Sequence, residues 1–269
     1  MQLLANKKNQ VYRQKDSGLA AILLLLALAV FATPVVSGEN RSKGTISIII
    51  DDLGYRLKEG REVIDLHGQL SFAVLPNTPY SQQLARYAQK KGKEVILHMP
   101  MQSTLGEAAE TGVLDVDMDE KAVVAAMQLA FSRVPSAVGM NNHQGSLLTR
   151  HPGHMAWVMK ELSKNNYFFV DSRTAKQSVA GKIAIEQGVP TISRDIFLDH
   201  KVEVESIRAQ FERLIQLALK EGHAVGIGHP HAETISVLRE MLPLLKVENI
   251  DLIPISSPLR TKLVFVERK

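Results

Sequence analysis

Two adjacent aspartates, Asp51 and Asp52, directly follow the apolar run TISIII at 45–50. Neighbouring side chains of an extended segment point to opposite sides, so a strand interior would bury at least one of these carboxylates at a high cost. The pair therefore belongs at the end of a strand. Carboxylates in that position can bind a divalent cation, act as a general base or cap a helix that follows.

Other apolar runs also end on side chains that can bind metal or transfer protons. Each taken alone has an ordinary structural explanation, because lone histidines are often partly buried and asparagines form turns. Their recurrence favours a shared site, since the carboxyl ends of parallel strands open on one face of an α/β fold. The residues at these strand ends are His98, Asn141, Asn142, His143, Asp171, Asp199, His229 and His231.

The chain contains no cysteine, which limits the possible chemistry. Thiolate catalysis is excluded, and any metal must be held by imidazole and carboxylate groups. That ligand set suits Zn²⁺ or another divalent first-row ion with a position left open for water. In such a site Asp52 would bind the ion, and Asp51 would accept a proton from the attacking water.

The elements that must position these residues alternate regularly along the chain. In one amphipathic stretch, Val204, Ile207, Phe211, Leu214 and Ala218 form a single stripe at helical spacing. Short apolar runs alternating with such helices predict a mostly parallel sheet covered by helices. The sheet would be a complete or distorted barrel, or an open doubly wound sheet. Glycine-rich nucleotide motifs are missing from the sequence.

The N-terminal segment predicts export. Residues 1–17 are basic, residues 18–32 carry no charge, and small residues follow. The apolar run is shorter than the roughly 20 residues of a membrane span, which favours a cleaved signal peptide and leaves an uncleaved anchor open. We therefore expect a signal peptide or anchor at 1–37, a linker at 38–44, one domain at 45–258 and a tail at 259–269. The location would be the periplasm or cell envelope.

Composition narrows the range of partners. The net charge is only +4 and is concentrated in the N-terminal segment, so nucleic acid is not expected as a partner. Membrane contact is expected only through that segment, if it stays uncleaved. Aromatic residues make up 5% of the chain, which argues against a long groove lined with aromatic stacking side chains and favours a short or small substrate.

Six motifs together resemble a known family. IDDLGY, LHMPM, GMNNHQGS, FVDS, FLD and VGIGHPH, in this order, are similar to the divergent polysaccharide deacetylases, a branch of the NodB-like carbohydrate esterases. The resemblance covers 44–258 and implies a distorted (β/α) barrel of the NodB-like, glycoside hydrolase/deacetylase type with mostly parallel strands. It implies a metal-dependent hydrolase that removes acetyl groups from an envelope or extracellular polysaccharide. The alternative is a non-catalytic, glycan-binding or envelope-organising protein that keeps a metal pocket.

The resemblance also implies a metal-ligand set. Asp52 would be the carboxylate ligand and His98 the first histidine ligand of a zinc ion. The family has a second histidine four residues later, where this chain has Gln102. We expect His143 to supply the second imidazole, with His231 as the alternative.

The same comparison implies the remaining roles. Asp51 would be the general base, and His229 the general acid. Either Arg194 or Arg173 could orient Asp51, as an arginine does in the family. The other polar residues expected to surround the substrate or support the ligands are Asn141, Asn142, Ser146, Asp171, Arg194, Asp199 and His231.

Overall fold

The computed structural model describes residues 44–105 and 111–259. The predicted signal peptide or anchor, nearly all of the predicted linker and the tail after Leu259 lie outside these residues. Within the described part of the chain, no helix combines the length and apolar content that a membrane span requires.

Nine parallel strands make up the sheet of the described residues, in the order β6-β5-β4-β3-β2-β1-β8-β7, with β9 also paired to β1. The strands are β1 (Gly44–Leu53), β2 (Ser71–Val74), β3 (Glu94–Met101), β4 (Gly139–Gln144), β5 (Phe168–Asp171), β6 (Thr191–Ser193), β7 (Ile196–Phe197), β8 (His223–Gly228) and β9 (Ile250–Leu252).

Helices connect most successive strands. They are α1 (Leu57–Ile64), α2 (Ser81–Lys90), α3 (Glu120–Arg133), α4 (Pro152–Lys164), α5 (Ala180–Glu186), α6 (Val204–Glu221) and α7 (Ala232–Met241). Short 3₁₀ helices span Leu148–Arg150 and Leu242–Lys246. The apolar stripe predicted from the sequence lies on α6, where Ile207, Phe211, Leu214 and Ala218 are all buried.

The sheet is curled because its two edge strands, β6 and β7, are adjacent in sequence. Strands β6 and β7 lie at opposite ends of the strand order, yet only Arg194 and Asp195 separate them. The Arg194 N–H donates to Asp171 O on β5, and the Asp195 N–H donates to Val225 O on β8. This irregular crossing closes the structure into a distorted (β/α) barrel. The predicted barrel is therefore confirmed, and an open doubly wound sheet does not fit.

Side chains alternate between the barrel interior and the helical layer, as the period of a strand requires. On β1, for example, Ile48 and Ile50 pack in the large outer core with the helices, whereas Ile49 belongs to a smaller separate cluster. This smaller cluster fills the barrel interior. Its buried members are Ile49, Ala73, Ile96, Phe168, Val170, Val225, Ile227, Ile255 and Leu259.

Candidate metal centre

Polar side chains replace the apolar interior layer at the carboxyl ends of the strands. Each lies two residues beyond an interior apolar residue, so the strand pleat points it in the same direction. This alternation places the candidate site residues directly above the apolar cluster of the barrel interior. The pairs are Ile49 and Asp51, Ile96 and His98, Val170 and Ser172, and Ile227 and His229.

A break in the β1 pleat brings Asp52 to the same site. A regular strand would point Asp52 away from Asp51, but its backbone is left-handed, with a φ of 57°. The pairing of β1 with β2 also shifts register between Ile50 and Leu53. A left-handed aspartate is uncommon, and such conformations cluster at functional sites. The irregularity allows both carboxylates to face the interior.

Three atoms from separate strands form a nearly equilateral triangle. Asp52 Oδ1 lies 3.1 Å from His98 Nε2 and 3.0 Å from His143 Nδ1, and the two imidazole nitrogens are 3.1 Å apart. Strand register explains the approach of the two rings. Asn141 pairs with His98, so His143 lies two residues further along β4 on the same side of the sheet.

The triangle fits a divalent cation. Zinc bonds to nitrogen and oxygen are about 2.0–2.2 Å long, which separates two ligand atoms by about 2.9–3.5 Å at bond angles between 90° and tetrahedral. The edges of 3.0 and 3.1 Å fall within that range. The donor set of one carboxylate and two imidazoles, with no thiolate, suits a catalytic site. The structure brings these three predicted side chains together.

Asp51 lies deeper than Asp52 and beside the triangle. It is buried, its Oδ1 accepts a hydrogen bond of 2.8 Å from Asn141 Nδ2, and its Oδ2 is 3.7 Å from His98 Nε2. Burial raises the pKa of Asp51 above its ordinary value, although the imidazoles of His98 and His229 oppose the shift. A carboxylate in this environment takes up a proton more readily than an exposed one.

Asp52 has the opposite character. Burial acts on it too, but the imidazoles of His143 and His98 outweigh that effect and hold the pKa of Asp52 far below its ordinary value. It therefore stays ionised, as a metal ligand must be. Two neighbouring carboxylates with pKa values moved in opposite directions can divide the roles of proton acceptor and charged ligand.

His229 lies near Asp52 and is held by Asp199. Its Nδ1 lies 2.9 Å from Asp199 Oδ1, and its Nε2 lies 3.8 Å from Asp52 Oδ2. Asp199 Oδ2 also accepts hydrogen bonds from the His229 backbone N–H and from Thr234 Oγ1. Burial opposes charge on His229, but the bond to Asp199 outweighs it and raises the pKa of His229 to about 9. The ring therefore carries a proton at neutral pH.

His231, the alternative ligand, lies at the rim of this pair. Asp199, His229 and His231 form a second group with metal-binding potential, in addition to Asp52, His98 and His143. In the second group, however, the Asp199 carboxylate is already used by hydrogen bonds, and the His231 ring centroid is 5.8 Å from that of His229. The geometry favours His143 over His231 as the partner of His98.

Several of the predicted supporting residues shape loops. Asn142 accepts from the Ser172 N–H and donates to Gln144 O, and the Asp171 carboxylate accepts from the Arg173 N–H and Ser178 Oγ. These contacts fix the loops that surround the triangle without joining it.

Two further predicted residues have similar structural contacts. Ser146 Oγ lies within hydrogen-bonding distance of Ser103 Oγ and Thr104, across two neighbouring loops. Arg194 donates to the carbonyls of Ser172 and Arg173, so its guanidinium is engaged by backbone, and Asp51 receives its hydrogen bond from Asn141.

Gln102, at the position of the missing histidine, has a role in a loop. Its Oε1 accepts a hydrogen bond from the Val116 N–H, and its backbone carbonyl accepts from Leu147 and Leu148. Thr234, which binds Asp199, was not predicted as part of the site. Its only signal in the sequence is its position just after the GHPH motif, and that signal does not distinguish it from an ordinary helix residue.

Together the fold and site define a (β/α) barrel with a group of potential metal ligands at its carboxyl face. The sequence profile of the divergent polysaccharide deacetylases matches residues 48–259. An uncharacterised protein of Haemophilus influenzae is 38% identical over 235 residues, which cover 87% of this chain and 84% of that protein. The chain belongs to the divergent polysaccharide deacetylase family.

Solved structures show the same fold. An uncharacterised protein from Agrobacterium tumefaciens superposes with a TM-score of 0.77 at 20% identity, covering 81% of this chain and 89% of that chain. A CE4 family pseudoenzyme from Bacillus anthracis superposes with a TM-score of 0.52 at 13% identity, covering 80% of this chain and 65% of that chain. At these identities the similarity is one of fold.

Proposed function

We propose that this protein is a metal-dependent hydrolase that removes acetyl groups from a polysaccharide. The observation that carries the proposal is the triangle of Asp52, His98 and His143, with Asp51 and His229 beside it. Acyl hydrolysis requires a metal site, a general base and a general acid. The triangle, the buried carboxylate of Asp51 and the protonated imidazole of His229 can supply these three.

The chain's own residues divide the proton transfers. A divalent ion, with zinc the best fit to these ligands, would supply positive charge that polarises the acetyl carbonyl and acidifies water. Asp51 is the residue placed to accept the proton of the attacking water, because its Oδ2 faces the triangle and its pKa is raised by burial. Asn141 holds the other oxygen of Asp51.

His229 supplies the second proton transfer of the hydrolysis. When the C–N or C–O bond to the acetyl carbon breaks, the leaving amine or alcohol needs a proton. His229 carries one at neutral pH, and Asp199 fixes the ring so that Nε2 faces the triangle. The products are acetate and a deacetylated sugar.

The family supports a polysaccharide as the substrate class. We place the protein in the periplasm or cell envelope, because a basic segment followed by an uncharged apolar one is typical of export. The site would then meet an envelope or extracellular glycan.

A second candidate function is glycan binding without hydrolysis. Gln102 occupies the position of a family histidine, and the Bacillus anthracis protein with this fold is described as a pseudoenzyme. A barrel of this kind can therefore exist without activity. The two proposals differ in whether acetate is released.

The deciding experiment measures bound zinc and released acetate in matched aspartate variants. The protein would be incubated with acetylated peptidoglycan fragments and with O-acetylated polysaccharide. Asp51→Asn should keep the metal and lower acetate release by about 100- to 10,000-fold, the usual contribution of general acid–base catalysis. Asp52→Asn should lose both, because it removes the anionic ligand.

Asp171→Asn is the control, because Asp171 is an equally buried strand-end carboxylate whose contacts lie in a loop. It should retain the metal. Zinc-loaded wild-type protein that releases no acetate from either substrate would contradict the hydrolase and favour glycan binding.

A further inference from the structure

The amide of Asn141 lies between the first histidine ligand and the general base. Asn141 is fully buried on β4. Its Oδ1 is 2.7 Å from His98 Nδ1, and its Nδ2 is 2.8 Å from Asp51 Oδ1. The second hydrogen on Nδ2 has Ser172 Oγ as its partner at 3.3 Å. A single side chain thus contacts both halves of the site.

The chemistry of these groups fixes the direction of each bond. The Asp51 oxygen accepts, so the NH₂ group of Asn141 must face it and the amide oxygen must face His98. An amide oxygen can only accept, so His98 Nδ1 must carry the proton. A neutral imidazole protonated at Nδ1 presents the lone pair of Nε2, and Nε2 is the atom in the triangle.

We infer that Asn141 is a positioning residue that sets the tautomer of His98 and the orientation of Asp51 at the same time. The part that concerns catalysis rests on the proposed function, whereas the part that concerns His98 does not. The family resemblance implied that Arg194 or Arg173 orients Asp51, but Arg194 is bonded to the carbonyls of Ser172 and Arg173, and Arg173 is exposed.

The neighbouring residue provides a matched comparison. Asn142 is as buried as Asn141, but its amide accepts from the Ser172 N–H and donates to Gln144 O, both backbone groups. Replacing either asparagine with aspartate keeps the accepting oxygen and removes the donor. If both asparagines served only in packing, the two substitutions would have the same effect on acetate release. If Asn141 positions Asp51, only Asn141→Asp should slow acetate release.

The experiment uses the full chain and reads the His98 ring by long-range ¹H–¹⁵N correlation in chelator-treated protein. Wild type and Asn141→Asp should both show the proton on Nδ1. Asn141→Leu should lose this preference and bind zinc roughly 10–100-fold more weakly, the usual cost of losing a partner of a ligating histidine. Asn142→Asp should leave the tautomer and the zinc affinity of wild type.

Acetate release separates the second role of Asn141 from the first. Asn141→Asp should retain zinc but release acetate roughly 10–100-fold more slowly, because a carboxylate oxygen in place of the Nδ2 donor, which lies 2.8 Å from Asp51 Oδ1, would share a proton with Asp51 and leave it less able to accept one from water. A His98 ring without a proton on Nδ1 in wild type would overturn the inference, as would wild-type zinc affinity in Asn141→Leu. If Asn141→Leu fails to fold, the spectra of wild type and Asn141→Asp still show whether His98 Nδ1 carries the proton. Wild type that binds zinc without releasing acetate would contradict the proposed function, and the tautomer would still test this inference.

Discussion

At the scale of single residues, the site depends on two carboxylates that are neighbours in sequence and differ in environment. Asp52 lies between two imidazoles, and its pKa is lowered, whereas burial raises the pKa of Asp51. The pKa difference has two causes. The Asp51 carboxylate is more deeply buried, and the left-handed backbone at Asp52 turns the second carboxylate towards the two imidazoles. This division explains why two adjacent aspartates are useful at this strand end.

The His229–Asp199 pair predicts a pH-dependent contribution to stability. The pKa of His229 is raised from 6.5 to about 9, so its stabilising effect is complete below pH 6.5 and is lost as the pH rises through 9. The pKa of Asp199 is lowered, so its contribution is present above its ordinary 3.8 and is lost as the pH falls. In metal-free protein, His229→Gln should lower the free energy of unfolding by about 1–3 kcal/mol near pH 6.

Urea denaturation across the pH range tests this prediction. The difference between wild type and His229→Gln should shrink as the pH approaches 10. His200→Gln removes an exposed histidine and controls for the substitution itself. A difference for His229→Gln that stays constant between pH 6 and 10 would show that the ion pair does not form.

The residue types of the site could be predicted from the sequence, but their pairing could not. Asp51, Asp52 and His98 stand out because each ends an apolar run. The choice of His143 over His231 depends on the register between β3 and β4, which no local pattern encodes. The function of Asn141 depends on which groups face the two ends of its amide, and these belong to strands distant in sequence.

At the scale of elements, the end of β1 positions the site. Gly54 follows the two aspartates with a φ of 138°, and a Cβ there would lie 1.8 Å from Thr78 Oγ1. We expect Gly54→Ala to lower the free energy of unfolding by roughly 3 kcal/mol, because it adds a clash to a backbone conformation that alanine disfavours. Because the turn carries Asp52, zinc affinity should fall as well.

Gly92→Ala is the matched control for this prediction. Gly92 is also left-handed, with a φ of 70°, but a Cβ there would meet no atom within 4 Å. Gly92→Ala should lower the free energy of unfolding by only about 1–2 kcal/mol, through backbone strain, and should leave zinc affinity unchanged. Thermal unfolding and zinc titration of both variants provide the comparison, and equal zinc affinity in the two would contradict the positioning role of the β1 turn.

At the scale of the whole molecule, the barrel interior supports the site from below. Ile255 follows β9 and is fully buried in the interior cluster with Ile49 and Ile227. Ile255→Ala should lower the free energy of unfolding by about 2–5 kcal/mol, because it removes buried methyl groups and leaves a cavity. Zinc affinity of the folded protein should be retained, since Ile255 is not a ligand.

The exposed Ile185 provides the control for this substitution, because 72% of its surface is accessible. Ile185→Ala should change the free energy of unfolding by less than about 0.5 kcal/mol. Urea denaturation measures both variants. Similar stability of the two would mean that the chain after β9 does not fill the barrel.

The alternation of strands and helices predicted a mostly parallel sheet covered by helices, because period and connection length are local properties of the sequence, whereas the barrel was implied by the family resemblance. The closure was not predictable in the same way. The segment at 189–199 reads as one strand, but it pairs first with β5 and then with β8. That change of partner depends on the curl of the entire sheet.

The central claim is that one divalent ion is bound by Asp52, His98 and His143. Anomalous diffraction at the zinc edge, from crystals of the full chain grown with zinc, tests it most directly. We expect one strong peak about 2.0–2.2 Å from Asp52 Oδ1, His98 Nε2 and His143 Nδ1. A peak bound instead by Asp199, His229 and His231, or no peak at either group, would contradict it.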